Sequence, residues 1–370
     1  IIPLLLMIYG TISFIKLVQN PEMKNGNKRI INQFLAAGII FFIPVIVNVV
    51  MQMLGETTNL SNCWNMANEK IQSQTSYNSI NEKEKKQIYQ DPSSYEKGGF
   101  GISMKDTNAK SIPSSVLSGA PHSNLSVVIA DDNGNILAQK DPDVLREGGS
   151  TTKVFTGLAA VKLLDPENDI VVSTQYAENM PYMGDPDVKV GQKLSVAKAA
   201  TKDFPGSSNI TTANIAIAIG KKYYNCSSDE DAYFKGMEKI NEFVISAGCK
   251  KSKLVSSSGV NYNYLKKKWN EFDKNGISRG EYGITASDLV LVTTIAMKDE
   301  YFASGISGRN NNGLFFIKSG TQAYKHGIWG FNHNGKRYYI AALGFNHNVD
   351  GDTRGTVSKS IYNWAINNLM

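Results

Sequence analysis

The chain has few cysteines and histidines, and this shortage excludes several kinds of site. Its 370 residues contain three cysteines and four histidines. The cysteines form no CxxC motif and the histidines lack ligand spacing, so we predict no metal site. Cys226 and Cys249 would form a disulfide in an extracytoplasmic domain or else remain thiols, and Cys63 is unpaired in both cases. We expect all four histidines at the surface or in turns: His122, His326, His333 and His347.

Motifs of several common enzyme classes are also missing. The sequence contains no His-Glu-x-x-His, no Gly-x-Ser-x-Gly and no phosphate-binding loop. Its net charge is +6, but the basic residues form no nucleic-acid-binding motif, so we expect no nucleic-acid partner. No internal repeat is visible, and nothing in the sequence calls for a cofactor.

Two apolar runs at the start of the chain are candidates for membrane spans. Residues 1–18 and 34–54 are each long enough to cross a hydrocarbon core of about 30 Å at about 1.5 Å per residue. The loop between them, 19–33, has three basic residues against one acidic residue, which favours the cytoplasmic side. We therefore predict a transmembrane hairpin over residues 1–54, with the rest of the chain outside the cytoplasm. A signal peptide followed by one buried helix is the alternative.

The remaining chain divides by composition. Residues 55–123 are rich in Ser, Asn, Gln, Lys and Glu and show no sustained apolar period, which predicts a polar stalk. Residues 124–370 predict one globular domain. Strand patterns occur at both of its ends and helical patterns in the middle, so we predict an α/β fold. Its antiparallel sheet would come from both chain ends, with flanking helices and a helical lobe.

The most informative segment is Gly148–Val161, in which Ser150 and Lys153 stand three residues apart at the start of a helical pattern. That spacing puts both side chains on one helix face, one turn apart. A serine hydroxyl becomes a good nucleophile when a base lies against it, and a lysine is a base when burial or another cation lowers its pKa. Four Ser-x-x-Lys patterns occur, but only this one combines a Gly pair, a helix start and an apolar continuation.

Two further segments supply partners for that pair. Ser207-Ser208-Asn209 stands before a helical pattern at 211–222 and would, on its own, be a helix cap. Lys318-Ser319-Gly320-Thr321 ends an apolar strand pattern, and Lys318 is a candidate for the second cation. Gly320 would let a ligand backbone lie against that strand.

In this order the three segments resemble a known family. The stretches GGSTTKVFTGLAAV at 148–161, PGSSNITTANIAIAIG at 205–220 and FFIKSGT at 315–321 resemble the penicillin-binding serine D,D-peptidases. The closest similarity is to the low-molecular-weight D-alanyl-D-alanine carboxypeptidases, and it covers residues 124–370. The resemblance implies a β-lactamase/transpeptidase-like fold.

The resemblance also implies the catalytic roles. Ser150 would attack the peptide carbonyl and become acylated, and Lys153, neutral at rest, would take the serine proton. Ser207 would relay a proton to the leaving D-Ala. Asn209 would hydrogen-bond the substrate backbone and steady Lys153.

The substrate site follows from the same resemblance. The terminal carboxylate would be held by Lys318, Ser319 and Thr321 on the strand that contains Gly320. The backbone amides of Ser150 and Thr321 would form the oxyanion hole. Two differences from the family stand out: a Gly pair precedes Ser150 where a Pro-small pair is common, and residues 266–280 look like an insertion.

The resemblance, together with the two apolar runs, implies a membrane-anchored serine D-alanyl-D-alanine carboxypeptidase of a bacterial cell membrane, with its catalytic domain extracytoplasmic. Its partners would be the D-Ala-D-Ala stem peptide of peptidoglycan, β-lactams as covalent inhibitors, and the bilayer through residues 1–54. One alternative is a class A-like β-lactamase, for which Glu271 with Asn275, or Glu242, would be the water-activating group. Others are a non-catalytic β-lactam or muropeptide receptor and a component of a conjugation or secretion apparatus.

Overall fold

The structure is a computed structural model that describes residues 102–106, 108–120, 124–180, 188–202, 207–260, 272–303, 310–311, 313–346 and 353–370. All of these residues belong to one compact unit, Lys86–Met370. The predicted hairpin at 1–54, its loop at 19–33 and most of the predicted stalk lie outside them, so those assignments stay predictions. Within the described ranges, no helix is both long enough and apolar enough to cross a bilayer.

The centre of the unit is a seven-stranded sheet with the order β1-β3-β2-β9-β8-β7-β6, and β4 and β5 form a separate pair. The described strands are β1 Lys110–Ser111, β2 Ser126–Asp131, β3 Ile136–Lys140, β4 Ile170–Val172, β5 Lys193–Ser195, β6 Asn310–Asn311, β7 Leu314–Thr321, β8 Tyr324–His333 and β9 Lys336–Asn346. The sheet is antiparallel except where β1 runs parallel to β3.

The pairing of β2 with β9 joins the two ends of the domain. Val127 lies opposite Ala342 and Ile129 lies opposite Ile340, in antiparallel register. Strand β2 is buried almost throughout, since its six residues include five with negligible exposure. A sheet built from both ends of the domain, as the sequence predicted, is therefore confirmed.

Helices cover both faces of this sheet. The described helices are α1 Lys153–Leu163, α2 Gln175–Asn179, α3 Val196–Lys202, α4 Asn209–Tyr223, α5 Asp229–Ser246, α6 Ala286–Ala296, α7 Glu300–Ala303 and α8 Thr353–Leu369. Helix α6 packs against β2 and β9, and α1, α4 and α5 continue the same core into a helical lobe. Helix α8 packs on the opposite face through Val357, Ile361 and Ala365, all fully buried.

The domain begins earlier than the sequence indicated. The predicted stalk, 55–123, includes β1, yet β1 pairs with β3 and Ile112 donates its amide to the Gln139 carbonyl at 3.1 Å. Ile112 and Leu117 are buried, and the 3₁₀ turn Ser114–Leu117 packs under α8. The apolar residues here are too sparse to form a period, but one sheet edge and one helix are enough to bury them.

The two described cysteines are thiols. Cys226 and Cys249 are not joined, and the Cys226 thiol lies 3.4 Å from the Gly220 carbonyl oxygen. Cys249 is buried, and burial raises the pKa of its thiol well above the ordinary value. The disulfide that the sequence left open is therefore absent from the described residues, and Cys63 lies outside them.

Candidate active site

Ser150 lies where the chain enters the buried helix α1. It belongs to a 3₁₀ turn, Gly149–Thr152, that continues directly into α1, and it is partly exposed. Lys153, one turn later, is fully buried, and its Nζ lies 3.3 Å from Ser150 Oγ. The predicted spacing thus places an amine within reach of the hydroxyl, on a rigid element.

The Gly pair before Ser150 has a steric reason. Gly149 has φ +47, a left-handed conformation that other residues adopt at a cost. A methyl group built on Gly149 would also lie 3.0 Å from the Thr321 amide nitrogen. The glycines that stand where the family commonly has a Pro-small pair therefore lie where the Ser150 turn comes close to strand β7.

Ser207 brings a second hydroxyl to Lys153. Lys153 Nζ donates to the Ser207 carbonyl at 2.6 Å and lies 3.0 Å from Ser207 Oγ. Ser207 has φ +51, which is uncommon for a residue with a side chain. Such strain is held only where the surroundings fix it, and here two hydrogen bonds to Lys153 do so.

The neighbouring residues have a different task. Ser208 caps helix α4, accepting the Thr211 amide at 3.1 Å on its hydroxyl. Asn209 is the first residue of that helix, two positions after Ser207. The helix-cap interpretation of this segment is correct for Ser208, while Ser207 faces the lysines.

Lys318 approaches Ser207 from strand β7. Its side chain is buried, and its Nζ lies 2.9 Å from Ser207 Oγ and 3.2 Å from the Ser319 carbonyl. Both lysines therefore hydrogen-bond to the same hydroxyl oxygen. Three segments that are far apart in sequence meet in one hydrogen-bonded chain from Ser150 to Lys318.

Strand β7 lies directly against the Ser150 turn. A methyl group built on Gly320 would be 3.0 Å from the Ser150 nitrogen and 2.6 Å from the Gly148 carbonyl. The amides of Ser150 and Thr321 are therefore close neighbours, as an oxyanion hole requires. In the described part of the chain, β6 pairs with β7 only at Leu314 and Phe315. The rest of that edge of β7 is therefore open to an added strand.

Sequence reasoning missed Arg354, in the first turn of α8. Its Nη1 lies 3.4 Å from Thr321 Oγ1 and 3.5 Å from the Gly320 carbonyl. No local motif marks this arginine, because its position depends on how the last helix packs against β8 and β9. It adds a planar cation at the end of the strand that contains Lys318.

Glu147, three residues before Ser150, was also missed. The residue is only 3% exposed, and its Oε1 accepts the Ala323 amide at 2.9 Å. Burial raises its pKa to about 8, although hydrogen bonds from the Ala323 and Tyr324 amides oppose that shift. A buried carboxyl group therefore joins the Ser150 loop to the turn after Thr321.

His326 corrects the expectation of surface histidines. It lies opposite Gly320 on β8, is fully buried, and accepts the Gly344 amide on Nδ1 at 3.2 Å. Burial, together with the nearby Arg146 and Arg354, lowers its pKa to about 3, so the imidazole is neutral. His333 does lie by a turn, as expected, and His122 and His347 lie outside the described residues.

Of the residues considered for a β-lactamase reaction, Glu242 lies in a surface ion pair. Glu242 pairs with Lys239 at 2.9 Å, and its side chain is 57% exposed. Glu271 lies outside the described residues, and Asn275 accepts from Arg146 Nη1 on its backbone oxygen at 3.4 Å. Among the described residues, no cluster of His, Cys, Asp and Glu could hold a metal ion.

Comparison with solved structures finds proteins of similar fold. The Streptomyces K15 DD-transpeptidase matches with a TM-score of 0.51 at 17% identity, over 65% of this chain and 96% of that one. A D-alanyl-D-alanine carboxypeptidase from Mycobacterium tuberculosis H37Rv matches with a TM-score of 0.52 at 19% identity, over 65% and 90%. An evolved putative penicillin-binding protein homolog from Mycobacterium tuberculosis gives 0.52 at 19%, over 66% and 91%.

No protein-family model and no curated protein sequence matches the chain. At 17–19% identity, the structural similarity establishes the fold. It agrees with the resemblance drawn from the three sequence segments around Ser150, Ser207 and Lys318. The described domain therefore has the mixed α/β fold of the DD-transpeptidase, D-alanyl-D-alanine carboxypeptidase and penicillin-binding structures.

Proposed function

We propose that this protein is a serine D-alanyl-D-alanine carboxypeptidase that trims peptidoglycan stem peptides through an acyl-enzyme on Ser150. One observation carries the proposal. Ser150 Oγ lies 3.3 Å from Lys153 Nζ, and Lys153 and Lys318 both reach the Ser207 hydroxyl. This arrangement supports the assignment of a nucleophile, a base and a proton path within one hydrogen-bonded network.

Acylation begins with transfer of the Ser150 proton to Lys153. An amine accepts a proton only when it is neutral, and burial beside a second cation favours the neutral form. Ser150 Oγ then bonds to the carbonyl carbon of the penultimate D-Ala. The negative charge that develops on the carbonyl oxygen is stabilised by the amides of Ser150 and Thr321, which the close approach of β7 makes neighbours.

The leaving group must receive a proton as its C–N bond breaks. Ser207 Oγ lies 3.0 Å from Lys153 Nζ, so a proton taken from Ser150 can pass through Ser207 to the amine of the departing D-Ala. Asn209, at the start of α4, would hydrogen-bond the substrate backbone. Water then hydrolyses the Ser150 ester, releasing the shortened peptide and returning a proton to Oγ.

The substrate's terminal carboxylate accounts for the cations at the other end of the site. Lys318 is buried at this point, and Arg354 reaches Thr321 Oγ1 at 3.4 Å. Two cations and the hydroxyls of Ser319 and Thr321 would recognise a peptide that ends in a free carboxylate. The peptide would lie along the open edge of β7, forming main-chain hydrogen bonds with it.

The cellular setting is part of the same proposal. Peptidoglycan lies outside the cytoplasm, so the catalytic domain would be extracytoplasmic and held at a bacterial membrane by residues 1–54. Membrane fractionation of the full chain, compared with a version lacking 1–54, tests this anchoring separately from the chemistry. A soluble full chain with an active domain would remove the anchor and leave the peptidase.

The activity itself is tested with a fluorescent penicillin and with a peptide ending in D-Ala-D-Ala. Mass mapping should locate the penicilloyl group on Ser150, and the peptide should lose one D-Ala. A folded domain without label on Ser150 would overturn the acyl-enzyme. Rapid turnover of a chromogenic cephalosporin, in place of a long-lived acyl-enzyme, would favour the β-lactamase alternative.

A further inference from the structure

Glu147 connects two sides of the site, the Ser150 loop and the turn after Thr321. We propose that it is a positioning residue: its carboxyl group fixes the separation between the amides of Ser150 and Thr321. This inference rests on the proposed function, because the two amides matter as a pair only if an oxyanion forms between them.

The contacts place Glu147 between the segments that contain these amides. It precedes Ser150 by three residues, and its Oε1 accepts the amide of Ala323, two residues after Thr321, at 2.9 Å. Within that turn, the Gln322 amide donates to the Tyr324 carbonyl at 2.9 Å, which closes the turn on itself. The bond from Ala323 to Glu147, with a second one from the Tyr324 amide, ties the turn to the Ser150 loop.

A third segment, residues 273–277, holds Glu147 from the other side. The Glu147 amide donates to the Gly276 carbonyl at 3.0 Å, and the Tyr324 hydroxyl donates to the Lys274 carbonyl. Asp273 organises this segment by accepting the amides of Asn275 at 2.7 Å and Ile277 at 3.0 Å. The part of the insertion that the structure describes therefore supports the turn after Thr321 through hydrogen bonds.

The burial of Glu147 is hard to explain by stability alone. With the residue only 3% exposed, its carboxyl group loses hydration, and burial raises the pKa of that group to about 8. An apolar residue of similar size would avoid that loss. A costly polar group kept beside a nucleophile is typical of a functional site.

Small movements at this point have large effects on rate. Oxyanion donors act at about 2.7–3.1 Å from the developing charge, so they cannot follow a substrate across a loose site. A displacement of about 1 Å at positioning residues lowers rates by about a hundredfold. Without the bond from Ala323 to Glu147, the Thr321 amide is no longer held at a fixed distance from the Ser150 amide. The two lysines keep their positions.

The test compares Glu147→Gln and Glu147→Ala with the wild type, on a D-Ala-D-Ala peptide and a boronic-acid transition-state analogue. Glutamine retains the Oε1 acceptor, so kcat should stay within about threefold of the wild type. Alanine loses the acceptor, so kcat should fall at least tenfold while KM changes less than twofold. Affinity for the boronic acid should fall in parallel with kcat.

Asp288 provides a matched control away from Ser150. It is 3% exposed and accepts three backbone amides, from Lys250, Lys251 and Ser252, at 2.7–3.0 Å. Asp288→Ala should lower the thermal midpoint and leave the kcat of the folded protein unchanged. If Glu147→Ala does not fold, Glu147→Asp, which withdraws the carboxyl group by one methylene, should show the same loss of kcat.

Two outcomes would overturn the inference: wild-type kcat in the Glu147→Ala or Glu147→Asp protein, or equal changes in kcat in the Glu147 and Asp288 variants. Failure of the proposed function is seen separately. In that case the wild type itself takes no penicillin on Ser150, before any variant is compared.

Discussion

Lys153 and Lys318 share one hydrogen-bond partner: their Nζ atoms lie 3.0 Å and 2.9 Å from the same Ser207 hydroxyl oxygen. One lysine comes from the first turn of α1 and the other from β7, so the pair joins the helical core to the sheet. Both side chains are almost completely buried. Two cations held this closely disfavour each other's protonation, which is what a lysine base requires.

The first prediction concerns Lys153 as the base. Lys153→Met removes the amine and retains most of the side-chain volume, so acylation by a fluorescent penicillin should slow by about 10²- to 10⁴-fold. Lys162→Met is the control on the same helix, because Lys162 pairs with Asp299 at 2.6 Å and is not in the network. Acylation at the wild-type rate in the Lys153 variant would remove the amine from the mechanism.

The second prediction uses two adjacent serines with different partners. Ser207→Ala deletes the hydroxyl between the lysines and should slow acylation by about a hundredfold, with a small change in thermal midpoint. Ser208→Ala deletes the cap of α4 and should cost about 1 kcal/mol of unfolding free energy, with the acylation rate unchanged. Stopped-flow labelling and thermal unfolding of both proteins separate the roles, and similar effects in both would refute the proton relay.

Most of the fold could be predicted because strong local patterns mark its elements. The sequence predicted strands at both ends of the domain, and the structure pairs two of them as β2 and β9. It did not predict β1, because a strand of two residues, both with exposed side chains, shows no alternation of apolar and polar residues. The start of the domain was misplaced for the same reason.

The site could be predicted as far as its motifs extend. Ser150, Lys153 and Lys318 are recognisable because each stands in a local pattern that its chemistry requires. Arg354 and Glu147 are not, because their roles depend on the packing of α8 and on a turn-to-loop hydrogen bond. Side chains that act through tertiary contacts leave no periodic signal in the sequence.

The third prediction concerns Arg354 and the substrate carboxylate. Arg354→Leu should lower kcat/KM for a peptide ending in D-Ala-D-Ala by about 10- to 100-fold, the loss expected for a hydrogen bond between charged groups. The same peptide with a C-terminal amide should be affected little. Arg337→Leu is the control, since Arg337 bonds to Asn332 at 3.4 Å away from Ser150. An equal loss on both peptides would contradict carboxylate binding by Arg354.

The fourth prediction follows from two buried groups with opposite pKa shifts. The pKa of Glu147 is raised to about 8, so between about pH 4.5 and 8 the folded state holds a proton that the unfolded state has lost. Stability therefore falls as pH rises through that range. The pKa of His326 is lowered to about 3, so between pH 3 and 6.5 the unfolded state holds the extra proton, and stability rises with pH.

Together these two groups should give a plateau of stability from about pH 4.5 to 6.5, where their slopes cancel, and a decline from there to about pH 8. Each group changes the unfolding free energy by at most about 1.4 kcal/mol per pH unit. Glu147→Gln removes the falling contribution, so its stability should rise up to about pH 6.5 and then stay level. The difference in unfolding free energy between variant and wild type should therefore widen from pH 5 to pH 8. Urea unfolding at unit pH intervals measures it, and a constant gap would mean that Glu147 titrates alike in both states.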